Sequence, residues 1–156
     1  MLIREATHRD APAMTAILNA IIAIGGTTAH EQPKTEATVL HDYITSPDVL
    51  ACSIAQDQGT IIGWQSVGMY HGNPEIGTFV QPGIQARGVG SQLFALTCAT
   101  LRAANITYII ATIRADNVPG LAYYARMGFA DIATDPDYAL SSGQKVGRVT
   151  RRIDLI

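Results

Sequence analysis

The sequence predicts a mixed α/β domain: a mostly antiparallel sheet of about seven strands flanked by about four helices. Three observations carry this reading. The chain has 156 residues, one domain's worth, with 47% hydrophobic and 15% charged residues, a globular composition rather than a disordered one. Short strand-like runs cluster in the middle of the chain, between amphipathic helical segments. Their order, β-α-α-β-β-β-α-β-α-β-β, lacks the regular alternation of a doubly wound fold. No repeat, linker or low-complexity segment divides the chain, so residues 1–156 read as one domain.

Leu2, Ile3 and Ala6 suggest a short first strand. Asp10 is placed to cap a helix with Pro12 in its first turn, and Met14, Ile17, Leu18, Ile21 and Ile22 form its apolar face. Gly25-Gly26 ends that helix. A polar stretch leads to a second helix around Glu36 to Thr45, stopped before Pro47. Strands follow over Val49–Ala55, Thr60–Met69 and Ile76–Val80, the last closed by Gln81-Pro82-Gly83. After the loop Gln85 to Gly90 comes a helix with Val89, Leu93, Leu96 and Ala103 on one face. Tyr108–Ile113 reads as a fully buried strand. A helix over about Val118–Met127, a strand after Gly128-Phe129 and a final strand over the tail, Lys145–Ile156, complete the order.

The formal net charge is -2 with no run of Lys or Arg, which leaves no electrostatic footprint for nucleic acid or an anionic membrane. Cys52 and Cys98 lack metal-ligand spacing and read as free thiols in a reduced, cytoplasmic setting. No leader-like segment opens the chain, and the most apolar stretch, Ala16–Ile24, is far short of the ~20 residues that span a bilayer. No two histidines have metal-ligand spacing, so no metal is expected.

The sharpest motif is Gln85-Ala86-Arg87-Gly88-Val89-Gly90-Ser91, between a strand and a helix. A helix N-terminus offers unpaired N–H groups and a positive dipole end to phosphate oxygens. Gly88 and Gly90 allow close backbone approach, and Arg87 adds charge. Neither a P-loop nor a dinucleotide-binding fingerprint is present, because Gly-Lys-Ser/Thr and a third glycine are missing. Taken alone, such a loop is also what an ordinary strand-to-helix turn looks like. Downstream stands Asn117-Val118-Pro119-Gly120-Leu121-Ala122-Tyr123-Tyr124-Ala125-Arg126-Met127-Gly128-Phe129.

With these two motifs at this separation the chain resembles the GCN5-related N-acetyltransferase (GNAT) superfamily over essentially its whole length. The loop resembles that family's acyl-CoA loop, and the helix its Asn-x-x-Ala/Ser-x-x-x-Tyr-x-x-x-Gly-Phe pattern, with Gly120 in the small-residue position. The resemblance implies the GNAT fold and acetyl-CoA as cosubstrate. It also implies a bulge at Phe79-Val80-Gln81 whose N–H groups at Phe79 and Val80 bind the pantetheine arm and polarise the thioester. Pyrophosphate would lie over Gln85, Arg87, Gly88, Val89, Gly90 and Ser91. Asn117 would contact the arm or only cap its helix.

Acetyl transfer to an amine requires a base for the ammonium proton, donors for the developing oxyanion and a proton for the departing thiolate. The resemblance assigns Glu75 as general base and Tyr124 as general acid. The stretch Glu75-Ile76-Gly77-Thr78-Phe79-Val80, Thr27-Thr28-Ala29-His30-Glu31 and Gly143-Gln144-Lys145-Val146-Gly147-Arg148-Val149 are similar to the phosphinothricin/methionine sulfoximine acetyltransferase branch. In that branch arginine and further aromatics precede the glutamate, whereas here only Met69-Tyr70-His71-Gly72-Asn73-Pro74 does. His30, Tyr70 and His71 are candidates to line the acceptor pocket. The expected acceptor is therefore a small-molecule amine, an amino acid or analogue, and the expected assembly a homodimer. A protein or peptide N-acetyltransferase and a silent acyl-CoA-binding module are the alternatives.

Overall fold

The computed structural model describes residues 1–84 and 88–156. Seven strands form one sheet: β1 (Leu2–Glu5), β2 (Val49–Asp57), β3 (Thr60–Tyr70), β4 (Asn73–Val80), β5 (Tyr108–Arg114), β6 (Ala130–Asp135) and β7 (Arg148–Asp154). Their spatial order is β1-β2-β3-β4-β5-β7-β6. Neighbours are antiparallel except β4 and β5, which run parallel and are joined by the crossover helix α3 (Val89–Ala103). The remaining helices are α1 (Ala11–Ile24), α2 (Glu36–Leu40, continuing as a π-helical turn over His41–Thr45) and α4 (Val118–Met127).

The two faces of the sheet bury different helices. Trp64 and Phe79 pack with Met14, Ile17 and Leu18 of α1. Val67, Ile76, Ile109, Ala111 and Ile113 pack with Phe94, Cys98 and Leu101 of α3 and Tyr124 of α4. Side chains alternate along a strand, so Glu75, Gly77 and Phe79 share the α1 face, while Ile76 and Thr78 share the α3/α4 face. The Trp64 indole N–H, fully buried, donates to the Met14 carbonyl (3.1 Å) and keys α1 to the sheet.

Three local expectations change. Asp10 does not cap α1 with its side chain. Its carboxylate turns back to accept the Thr7 N–H (2.7 Å) and a two-pronged bond from the Arg4 guanidinium (2.8 Å each), because a buried charge needs a charged partner. The buried stripe of α3 runs Val89, Leu93, Phe94, Thr97, Cys98 and Leu101, while Ala103 lies exposed past it, off the helical repeat of that face. The last strand is shorter than the tail's alternation suggests. The segment before it is turned by Gly143 and Gly147, both at positive φ, and reaches the sheet only at Arg148.

Cys52 and Cys98 are free thiols, and burial pushes the Cys52 thiol up to about 12. Among the described residues, no helix is long and apolar enough to cross a membrane.

The Arg4–Asp10 pair makes a prediction. The guanidinium and the Thr7 N–H hold the Asp10 carboxyl below its ordinary value near 3.8, against the opposing effect of burial. A lowered carboxyl stabilises the fold above about pH 4, and that contribution is lost as pH falls through the folded value. Asp10→Asn should lower the unfolding free energy at pH 7 by about 1–3 kcal/mol and flatten the loss of stability below pH 4. Urea denaturation at stepped pH measures both.

Candidate active site

The site is built where β4 and β5 part. Their ladder contains one register pair, Glu75 with Ile110. On its outer side β5 is paired with β7 along all seven residues, and β4 is paired with β3 from Asn73 to Val80. C-terminal to Glu75 and Ile110, the facing edges of the two strands therefore hold backbone groups that neither strand satisfies for the other. Buried or half-buried amides in that state call for water or a ligand as partner.

The β3–β4 register is continuous from Tyr70–Asn73 to Gly63–Val80, and the Gln81 N–H extends it by donating to the Ile62 carbonyl (2.8 Å). No bulge lies at Phe79-Val80-Gln81, contrary to expectation; the sheet opens by strand parting instead. In an antiparallel ladder alternate residues direct their N–H groups to opposite sides. With Gln81 directed at β3, Phe79 is directed there too, and the N–H groups of Thr78 and Val80 face the opening. Phe79 serves the site as packing: its ring centroid lies 4.3 Å from that of Trp64.

Gln85 and Arg87 lie outside the described residues. Gly88 adopts φ 73°, a left-handed conformation that glycine takes without strain, and the chain enters α3 there. The first-turn N–H groups of Val89, Gly90 and Ser91 have no intrahelical acceptor. Val89 is buried and Ser91 exposed. Gly90 is required for a reason absent from the motif: a Cβ there would stand 2.5 Å from Cε1 of Tyr123. The Tyr123 hydroxyl donates to the Gly90 carbonyl (2.8 Å), so the start of α3 is pinned to α4.

Asn117 caps α4. Its Oδ1 accepts the Gly120 N–H (2.9 Å) and its Nδ2 donates to the Thr27 carbonyl (2.8 Å). A Cβ at residue 120 would strike the Asn117 amide, which explains glycine in the small-residue position. Arg114, in a salt bridge with Asp116, donates to the Thr28 carbonyl, so the loop after α1 is held over this end of β5.

Tyr124 is buried, its ring edge-on to Tyr123 (4.9 Å) and Phe129 (5.2 Å), and its hydroxyl is 2.9 Å from the Thr78 hydroxyl. Burial pushes its phenol well above the ordinary value; the Thr78 hydrogen bond opposes this, and the Tyr123 and Glu75 charges add to it. Tyr124 is therefore a protonated, hydrogen-bonded phenol at neutral pH. Glu75 is half-buried on the opposite face of β4, at the vertex of the opening, with Gly77 beside it on β4 and Ser66 and Gly68 on β3 as a side-chain-poor floor.

His30 borders that floor through Tyr43. The Tyr43 hydroxyl is 3.0 Å from His30 Nε2, and its ring packs edge-on to Trp64 (4.8 Å) and Phe79 (6.4 Å). Burial, then the charge of Lys34, lowers the His30 pKa, and Asp42 opposes; the imidazole is neutral at pH 7. Tyr70 and His71 sit exposed at the β3–β4 turn, their rings edge-on to each other (4.2 Å), on the Glu75 side of the sheet but at its far end. Gln65, Thr78, Thr97 and Tyr43 escape sequence reasoning. The available signal is polar residues inside strand or helix positions otherwise apolar, Gln65 above all, which is fully buried.

Residues 14–129 match the family model of the acetyltransferase (GNAT) family. The chain belongs to the GNAT family. It is an N-acetyltransferase, and the sheet order and four helices are those of the GNAT fold. It is 27% identical over 152 residues, 93% of each chain, to YwnH of Bacillus subtilis (strain 168), a candidate phosphinothricin acetyltransferase. An N-acetyltransferase structure from Staphylococcus aureus Mu50 superposes with a TM-score of 0.89 at 18% identity, covering 99% of this chain and 98% of that one. The structure of a phosphinothricin acetyltransferase (Pat) from Sinorhizobium meliloti, in complex with acetyl-CoA, superposes with a TM-score of 0.84 at 18% identity, covering 98% and 87%. The acetyltransferase thus shares its fold with proteins that bind acetyl-CoA.

Among its described residues no group of three His, Cys, Asp or Glu side chains converges as a metal site.

The Gly90–Tyr123 contact is testable. Gly90→Ala should cost about 1–3 kcal/mol of stability through overpacking. In a Tyr123→Ala background the same change should cost almost nothing, since the clash has gone. Thermal unfolding of the four proteins of this cycle measures the coupling.

Proposed function

We propose that this acetyltransferase moves the acetyl group of acetyl-CoA directly to the amine of a small molecule, an amino acid or analogue, with Glu75 as general base and Tyr124 as general acid. The observation that carries the reading is the parting of β4 and β5 with a carboxylate on one face and a protonated phenol on the other. A reacting centre in that opening has Glu75 on its amine side and Tyr124 on its sulfur side.

The residues fit acetyl-CoA. The Thr78 and Val80 N–H groups face the opening and suit the amide-bearing pantetheine arm and the thioester carbonyl, whose oxygen gains charge in the transition state. The start of α3, from Gly88 to Ser91, suits the pyrophosphate through first-turn N–H groups that have no acceptor within the helix and through the positive end of the helix; Gln85 and Arg87 belong to the same role. Gln81 stands at the start of that loop, and Asn117 holds the α4 end of the site by capping.

On the amine side, Glu75 takes a proton from the ammonium so that a lone pair is available, and Tyr124 gives a proton to the departing sulfur. The floor of Ser66, Gly68 and Gly77 leaves room for a small acceptor beside Glu75, with His30 and Tyr43 as its polar wall and Tyr70 and His71 at its outer edge. The likeness to YwnH supports an amino-acid-like acceptor. Homodimer assembly and a cytoplasmic setting belong to this proposal.

The test is release of CoA thiol from acetyl-CoA against a panel of amines, with phosphinothricin, methionine sulfoximine, common amino acids, polyamines and a lysine peptide as members. Turnover on small amines alone supports the reading, and turnover on the peptide alone overturns the small-molecule part. Glu75→Gln should lower kcat most at low pH, where the ammonium dominates, with acetyl-CoA affinity nearly unchanged. Equal kcat across pH would remove Glu75 as the base.

A further inference from the structure

A buried chain of hydrogen bonds ends on Tyr124, and its direction can be worked out atom by atom as far as Thr78. Tyr123 has one hydroxyl hydrogen, and the Gly90 carbonyl beside it can only accept, so Tyr123 donates there (2.8 Å). The Tyr123 oxygen must then accept from Gln65 Nε2 (3.0 Å), which fixes the orientation of the Gln65 amide. Its Oε1 accepts from the Thr97 hydroxyl (2.6 Å), and the second Nε2 hydrogen goes to Thr78 Oγ1 (3.0 Å). Gln65 is 0% and Thr97 1% exposed, so neither exchanges these partners for water.

Thr78 thus accepts from Gln65 and has its own hydrogen to give; its hydroxyl lies 2.9 Å from that of Tyr124, and either of the two can be the donor. When Thr78 donates, the Tyr124 hydrogen is left free to turn to the opening between β4 and β5. The ring itself is wedged between Tyr123 and Phe129 and cannot swing.

We propose that Gln65 and Thr78 are positioning residues: they aim the Tyr124 O–H at the departing sulfur and stabilise the phenolate oxygen that remains. This rests on Tyr124 being the general acid. The amine nitrogen, one proton already on Glu75, bonds to the acetyl carbon; as the carbon–sulfur bond breaks, its electron pair goes to sulfur, the Tyr124 proton follows it, and the Tyr124 oxygen becomes a phenolate that accepts the Thr78 hydrogen. The second proton of the nitrogen passes through water to the Tyr124 phenolate, and the one held by Glu75 is released to solvent. Burial makes a phenol a poor acid, and a hydrogen bond donated to its charged form offsets that cost. Thr78 is the hydroxyl within reach of the Tyr124 oxygen to supply that bond.

The test uses Thr78→Val, Thr78→Ala, Thr78→Ser, Tyr124→Phe and the Thr78→Val/Tyr124→Phe double variant, with the acceptor identified by the amine panel. Thr78→Val and the smaller Thr78→Ala should both lower kcat about tenfold, the scale of one lost hydrogen bond. KM and the calorimetric affinity for acetyl-CoA should stay within about twofold. Thr78→Ser should restore kcat. Tyr124→Phe should lose about 10²-fold, and the double variant should be no slower. Thr78→Val and Thr78→Ala at full kcat beside a slow Tyr124→Phe overturn the positioning role alone. A double variant a further tenfold slower overturns it as well. Tyr124→Phe at full kcat overturns the acid, and the positioning role with it.

Discussion

The structure depends on one constraint: two parallel neighbours, β4 and β5, meet at Glu75 and Ile110 and then part. Parallel strands need a long crossover, and α3 supplies it. The crossover packs on one face only, and α4 follows β5 onto the same face. The Tyr124 hydroxyl reaches Thr78 on β4 while the Tyr124 ring packs against Phe129 at the start of β6's approach, so α4 spans the gap the strands leave. Elsewhere the sheet is closed by long antiparallel ladders. The binding capacity of the fold is concentrated where backbone pairing stops.

A second feature follows from the first. An opening in a sheet brings polar groups into what is otherwise an apolar core, and each must be paired or it costs about 1–3 kcal/mol. Ser53, Thr97, Gln65, Thr78, Tyr123 and Tyr124 meet that demand together, drawing one side chain or more from β2, α3, β3, β4 and α4. Among the described residues no buried side-chain polar atom lacks a partner. The same network that satisfies the core also orders the phenol at the site and, through Gly90, the start of α3. Stability and chemistry share these bonds.

Element types and order were legible in the sequence because periodicity and turn residues act locally: α4 runs over Val118–Met127 as the spacing predicts, and Gly25 ends α1. The α3 loop and the Asn117 helix were legible as linked motifs. What escaped depends on tertiary contacts, most of them far apart in the chain. Asp10 looks like a cap until Arg4 is seen beside it. Gly90 looks like a phosphate glycine until the Tyr123 ring, 33 residues on, occupies the space of its Cβ. The expected bulge at Phe79-Val80-Gln81 gives way to strand parting, which no property of β4 alone encodes. Gln65, with Ser66 beside it, is polar in an otherwise apolar run, and only its partners show what it does.

The central claim is that the reaction takes place in the opening between β4 and β5. A crystal structure of the protein with CoA bound tests it most directly. The account predicts the pantetheine arm between the two strands, bonded to the Thr78 or Val80 N–H, with the sulfur within hydrogen-bond reach of the Tyr124 oxygen and Glu75 on the far side. A CoA seated elsewhere, or a sulfur with Tyr124 still closed behind protein atoms, would contradict it.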